Sequence, residues 1–411
     1  MQKKVIALAV AALASTGALA QSNVQIYGVV DYGYAFRHDP NRVYELVGQT
    51  KDANGKVLQA GAWRKVNRNG AATVNSRIDA GQRNGNRLGF KGVEDLGNGL
   101  KAVFVLERGF NLDTGTDRNG FDRQAYIGLA GDWGTLAGGR IYTPYYSLVS
   151  SLDPFEDGTV GRYGNVKEDI NGLFNPVRVD NTVAYISPNY NGFGFVAAYS
   201  NNAGGDDSAN NNGANNTVYT VAANYTVDNA MLGLTYHHIG AGSTFRSLNP
   251  ATGKTQGVKG IDNFTLGGSY DFGAAKVAAF WSWDELKGIN GTNIAGTVSQ
   301  KSSLSQNNFM LGATVPFGKQ AVKASFNYSK NSSSQFGDAW QLAVGYDYNF
   351  SKRTTFYATY AYIDNDSASI HAWNHEGLAY KRIGRFAATG DASNSGDAYK
   401  QAFQLGVKHS F

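Results

Sequence analysis

Between Trp340 and Phe350 apolar and polar residues alternate without a break. Trp340, Leu342, Val344, Tyr346, Tyr348 and Phe350 form one set; Gln341, Ala343, Gly345, Asp347 and Asn349 form the other. A period of two places these sets on opposite faces of an extended strand. One face is wholly apolar and the other small or polar. The same pattern recurs along the chain. Phe264, Leu266, Tyr270 and Phe272 alternate with Thr265, Gly267, Ser269 and Asp271, and Val322, Ala324, Phe326 and Tyr328 with Lys323, Ser325 and Asn327. Tyr219, Val221, Ala223 and Tyr225 alternate with Thr220, Ala222 and Asn224. The last residues, Phe403, Leu405, Val407 and Phe411, repeat it against Gln404, Gly406, Lys408 and Ser410. Near the start, Val24, Ile26, Val30, Tyr32 and Tyr34 do so against Gln25, Asp31 and Gly33.

The connections between these segments alternate in length. Short ones fall at 95–99 (DLGNG), 131–134 (GDWG), 188–192 (PNYNG), 227–229, 272–274, 316–319 (PFGK) and 351–353. They carry the Gly, Asn, Asp and Pro of tight hairpin turns. Long ones lie near 37–76, 112–120, 143–178, 201–216, 240–261, 284–305, 330–338 and 364–399. Seven short turns and eight long loops are fifteen connections, hence sixteen strands. An even number of strands of about ten residues, short-turned at one end and long-looped at the other, predicts an all-β, antiparallel transmembrane β-barrel. In hydrocarbon such a sheet must close, because each unpaired edge group costs several kcal/mol. A secreted β-sandwich would carry charge on its outer face instead of small residues and Gly. A propeller would repeat a blade motif. Aromatic residues at strand ends beside the short turns (Phe193, Tyr225, Phe272, Phe317, Phe350) suit an interfacial girdle.

Composition changes this picture little. The 411 residues include 51 Gly and no Cys, which removes disulfide scaffolds, thiolate metal sites and Cys nucleophiles. Residues 1–20 read as a secretory leader: Lys3 and Lys4, an apolar run from Val5 to Leu13, and the small-residue site Ala18-Leu19-Ala20. The apolar stretch is short for a spanning helix. The expected organisation is therefore a signal peptide over 1–20 and one barrel over 21–411. Without Lys3 and Lys4, 35 basic residues face 32 acidic ones, a net charge of about +3.

No catalytic constellation emerges. Gly253-Lys254-Thr255 has the end of a phosphate loop, but Leu248 replaces its first Gly. His371, His375 and Glu376 lack a metalloprotease spacing, His237-His238 puts adjacent rings on opposite strand faces, and Asp206-Asp207 sits in an Asn-rich loop. A barrel enzyme would need a Ser/His or Asp/His set at matching depth, and none is found. The reading is not an enzyme, with no metal, no cofactor and no nucleic-acid partner. In the second strand Leu88 and Phe90 take the apolar face, so Arg87 and Lys91 point inward. Arg77 and Arg83 share that parity if the strand is unbroken.

Three passages resemble the trimeric general porins of Gram-negative bacteria, in particular the neisserial and betaproteobacterial branch. They are NRLGFKGVEDLGNGL (86–100), FDRQAYIGLAGDWGTLAGGRIY (121–142) followed by Thr143-Pro144, and the terminal GVKHSF (406–411). The start of the expected mature chain, VQIYGVVDYGY, fits as well. The resemblance implies sixteen strands, a homotrimer, and a third loop folded into each pore. Its partners would be outer-membrane lipid and lipopolysaccharide, the barrel assembly machinery, and small hydrophilic solutes and ions. Arg87 and Arg123 fall at motif positions whose arginines line the constriction, and Arg140 lies in the matching GGRIY segment. Arg123 shares parity with the outward-looking Ile127 and Leu129, so either a bulge intervenes or this face is a subunit contact. Phe411 resembles the assembly signal, with His409 where many relatives carry an aromatic. The third loop holds Asp153, Glu156, Asp157, Glu168 and Asp169 against Arg162, Lys167 and Arg178. Acids there, opposite wall bases Arg83, Arg87, Lys91, Arg123 and Arg140, would set a transverse field that passes polar solutes. Pro154-Phe155 would anchor the loop. The expected role is passive diffusion with mild anion preference, the alternatives being a substrate-selective channel, or a barrel adhesin or structural protein without open-channel activity.

Overall fold

The computed structural model describes residues 23–39, 42–47, 50–51, 57–59, 62–67, 73–117, 120–167, 176–203, 217–240, 246–248, 255–257, 260–287, 303–332, 338–365 and 401–411. The expected leader, Glu168, Asp169, Asp206-Asp207, Gly253-Lys254 and the His371–Glu376 group lie outside them.

Sixteen strands build one antiparallel sheet. They are β1 (Asn23–Asp39), β2 in two segments (Thr73–Ala80 and Arg87–Gly97), β3 (Leu100–Gly109), β4 (Ala125–Gly131), β5 (Gly134–Tyr142), β6 (Arg178–Ile186), β7 (Phe193–Ser200) and β8 (Val218–Val227). The second half comprises β9 (Ala230–Gly240), β10 (Gly260–Asp271), β11 (Lys276–Lys287), β12 (Ser303–Phe317), β13 (Gln320–Asn331), β14 (Ala339–Asn349), β15 (Thr354–Asn365) and β16 (Gln401–Ser410). Each strand pairs with its sequence neighbour, and β1 closes the ring. It pairs with β2 along one edge and with β16 along the other, Val29 opposite Ser410 and His38 opposite Gln401. The last residue extends this seam: Phe411 and Gly28 exchange two backbone hydrogen bonds of 3.1 Å.

Period-two alternation decides which face is which. Ile26, Ile127, Leu136, Val183, Val221, Leu234, Leu266, Leu311, Val322, Leu342 and Val407 are all exposed on the outside, Ile127 by 68%. Thr220, His237, Thr265, Ser282, Asn308, Asn327, Gln341, Thr359 and Gln404 are buried on the inside. This inverts a soluble protein, and it fits a cylinder whose solvent outside is hydrocarbon. The aromatic residues beside the short turns all point out, as a girdle requires.

The seven short turns and eight long loops fall where the alternation places them. In the turn from β2 to β3, Gly97, Asn98 and Gly99 all take positive φ (87°, 51° and 79°), a region open to Gly and tolerated by Asn. Three small hairpins inside loops carry no signal in the alternation. Arg42–Val47 pairs with Ala62–Asn67, Thr50–Lys51 with Val57–Gln59, and Arg246–Leu248 with Thr255–Gly257.

Candidate functional site

The third long loop leaves β5 and enters a helix, α1 (Pro144–Leu152). Thr143 caps it: its Oγ1 accepts the Tyr146 N–H at 3.1 Å, and Pro144 occupies the first turn, where no backbone donor is needed. Tyr145, Leu148, Val149 and Leu152 share one face at helical spacing. They pack with Tyr163, Ala278, Phe280 and Met310, the last three on β11 and β12. The wall makes room through a row of inward-facing glycines. A Cβ on Gly233 would lie 2.6 Å from Leu148, on Gly267 2.6 Å from Leu152, on Gly312 2.5 Å from Pro154 and on Gly345 2.7 Å from Phe155. The loop thus lies along the inside of the barrel, in a groove left by missing side chains.

Polar bonds fix it there. Asn165 Nδ2 donates to Gln341 Oε1 at 2.9 Å, Gln341 Nε2 donates to the Gly161 carbonyl at 2.8 Å, and the Val160 N–H donates to Gln404 Oε1 at 2.7 Å. Lys167 Nζ meets Asp284 Oδ2 at 2.9 Å and Tyr145 Oη at 2.8 Å. At the far end the Thr159 N–H donates to the Gln82 carbonyl at 2.6 Å. The loop has crossed the interior from β5 to β2.

The three acids expected at its lumen edge separate. Asp153 is buried. It accepts backbone N–H bonds from Phe155 (2.9 Å), Asp157 (3.1 Å) and Tyr163 (3.1 Å). Burial outweighs those donors and pushes its carboxyl up to about 7. The side chain of Asp157 is covered beside Arg162, 3.1 Å away; burial raises its carboxyl, with Arg162 pulling the other way. Both organise the loop itself. Glu156 is the one whose carboxylate stays in solvent, its side chain 44% exposed. Glu156, Asp157 and Thr159 all have φ between 53° and 57°, strain concentrated at the tip.

The facing wall is basic. Arg83 does not continue the second strand as an unbroken parity would have it; residues 81–86 separate the two β2 segments. Its guanidinium lies 2.9 Å from Asp347 and 3.8 Å from Glu156. Arg87 Nε is 3.5 Å from Glu107, and Lys91 lies over the Tyr27 ring at 5.4 Å. Arg123 is also inside, with Nε 2.6 Å from Glu107 Oε1 and a terminal nitrogen donating to Tyr142 Oη at 2.8 Å. The parity conflict resolves through a bulge. The Glu107 N–H donates to Gln124 O while the Arg123 N–H donates to Glu107 O, so two residues oppose one. Arg140 sits beside the β5–β6 register shift at Gly139, where it pairs with Asp180 and donates to the Asp122 carbonyl at 2.8 Å.

Sequence reasoning left out several inward charges. Lys323 meets Asp347 at 2.6 Å, Glu107 joins Arg87 to Arg123, and Asp31 is fully buried. The signal was present: Lys323, Asp347 and Asp31 all fall on the polar set of an alternating strand. Elsewhere His237 and His238 diverge as adjacent strand residues must. His237 turns in against Tyr145, and His238 turns out to Asp262 at 2.7 Å.

Comparison with known proteins agrees with this architecture. A family model described as Gram-negative porin matches residues 7–368. An outer membrane porin protein of Bordetella pertussis is 30% identical, over 89% of this chain and 95% of its own length. Outer membrane porin protein 32 of Delftia acidovorans is 29% identical over the whole of both chains. Among solved structures, the anion-selective porin from Comamonas acidovorans superposes with a TM-score of 0.67 at 24% identity, covering 95% of this chain and 100% of that one. With a closed sixteen-stranded barrel, an apolar outside and a polar inside crossed by the third loop, the chain belongs to the Gram-negative porin family of the outer membrane.

Proposed function

We propose that the barrel is a passive diffusion channel for small hydrophilic solutes and ions, with a mild preference for anions, working as a homotrimer. The observation that carries this reading is the loop pinned across the interior, with the exposed Glu156 carboxylate 3.8 Å from Arg83 on the facing wall. Opposite charges across a narrow gap orient water and polar solutes. An apolar solute cannot replace that ordered water.

The wall group is Arg83, Arg87, Lys91, Arg123 and Arg140, each held by a neighbouring acid or ring. On the loop Glu156 acts on permeant ions, while Asp153 and Asp157 act as scaffold. Their withdrawal leaves the wall bases less offset, which favours anions. The Comamonas acidovorans porin that shares this fold is anion-selective, which supports the same sign. Reversal potentials in a KCl gradient test it: chloride is expected to be favoured, and a clear cation preference would overturn the selectivity without touching the barrel.

The trimer reading draws on the family resemblance and on a Vibrio cholerae OmpT structure solved in a trimer form. An unboiled band at three times the monomer mass on gels is the expected result; a monomer only would contradict it. The leader 1–20 would be removed, giving an N-terminus at Gln21 by sequencing. Phe411, on the outward face of the seam, is the proposed signal to the barrel assembly machinery.

A further inference from the structure

Strand β2 does not run straight past β1. Tyr32 stands opposite Ala80 and Val29 opposite Arg87, so Val30 and Asp31 face the six residues 81–86. Four residues too many must leave the sheet. They step into the lumen, where Gln82 accepts from the loop tip and Arg83 meets Asp347. At the root of this step is Asp31, with no exposed surface. Its Oδ2 accepts the N–H groups of Arg83 (2.6 Å) and Asn84 (2.7 Å), and its Oδ1 accepts from Tyr357 Oη of β15 at 2.6 Å. Its backbone is tied as well, its carbonyl to the Gly81 N–H at 2.8 Å and its N–H to Asn86 Oδ1 at 2.5 Å. A buried carboxylate persists only with such donors, and two successive backbone N–H groups form an anion-accepting concavity.

What the step carries is the narrow part of the lumen. Arg83 leaves it toward Asp347 and Glu156, its guanidinium 5.9 Å from the Tyr357 ring. Gly158 of the loop lies so close on the Arg83 carbonyl that no Cβ fits there. Asp31 touches no permeant ion, yet five of its hydrogen bonds set where Arg83 and the loop tip stand. We propose that Asp31, with Tyr357, is a positioning residue of the pore: it holds the inward step of β2 and thereby sets ion preference through Arg83. This rests on the channel reading above.

The test is a set of reversal potentials and single-channel conductances in planar bilayers for wild type, Asp31→Asn, Tyr357→Phe, Arg83→Ala and the Asp31→Asn/Arg83→Ala double variant. Each is first shown to run as the heat-sensitive folded species. Removing a negative charge by itself raises anion preference. Loss of position lowers it, by about twofold in the chloride-to-potassium ratio. The expected result is a lowered ratio in Asp31→Asn, a smaller change of the same sign in Tyr357→Phe, and a double variant no different from Arg83→Ala. Tyr357→Phe loses one hydroxyl and keeps the test open if Asp31→Asn does not assemble. A raised or unchanged ratio in the variants that fold, or effects of Asp31→Asn and Arg83→Ala that multiply, would overturn the proposal. A folded wild type that carries no current would defeat the channel reading, and this one with it.

Discussion

The ring of Phe155 fills the space that a side chain at Gly345 would occupy. A Cβ there would sit 2.7 Å from Phe155 Cε1. Phe155 also packs with Val160, Val166, Ala339 and Ala343, so the loop's apolar anchor and the β14 wall are one cluster. Burying a Phe side chain is worth about 2 to 3 kcal/mol, and overpacking such a site costs about 1 to 3 kcal/mol. Gly345→Val is therefore expected to expel the ring and free the loop tip while leaving the barrel closed. Single-channel conductance checks it, with a rise and added current noise as the outcome and an unchanged folded band on unboiled gels.

Lys167 and Asp284 form the loop's second anchor. Both are buried, and Asp284 also accepts from Asn263 at 2.6 Å and Asn308 at 2.8 Å. Removing one partner of a buried pair leaves an uncompensated charge, at a cost of about 3 to 5 kcal/mol. Lys167→Met should therefore expose the loop to protease in detergent micelles faster than wild type. Adding Asp284→Asn to it should restore much of the protection, because the side chain left in the buried site then carries no charge.

The pH dependence of the loop follows from Asp153. Its folded carboxyl, at about 7, lies above its ordinary value of 3.8, because burial disfavours the charge. Between those values the folded loop holds more protons than the unfolded one, so stability falls as pH rises from about 4 through about 7. Protease protection of the loop should be greater at pH 5 than at pH 8. Asp153→Asn, less stable throughout because its amide faces backbone donors, should lose that slope.

How much of this the linear pattern could carry depends on the kind of constraint. Outward residues such as Leu266 and Val322 meet one uniform solvent, so their period survives in the sequence, and with it the strand count and turns. Inward residues meet one another. Gly233, Gly267, Gly312 and Gly345 are legible as small residues on the polar set, yet nothing local says that Leu148 to Phe155 will lie on them. Arg123 fails the parity rule because two residues oppose Glu107 there, a bulge made by pairing partners distant in sequence. Asp153 and Asp157 resemble Glu156 on paper. Hydrogen bonds inside the folded loop divide their roles.

Charge substitutions at the narrow part should act with opposite signs. Glu156→Gln removes the exposed loop carboxylate and should raise the chloride-to-potassium ratio. Arg87→Ala removes a wall base and leaves Glu107 with Arg123, and should lower it. Changes of about twofold are expected, with the reversal potential in a KCl gradient as the measurement.

The central claim is a water-filled passage through a barrel dressed in apolar side chains. Purified protein added to planar lipid bilayers tests it most directly. Discrete conductance steps that scale with KCl concentration are the predicted result. Folded, heat-modifiable protein that inserts into the bilayer and yields no steps would contradict it.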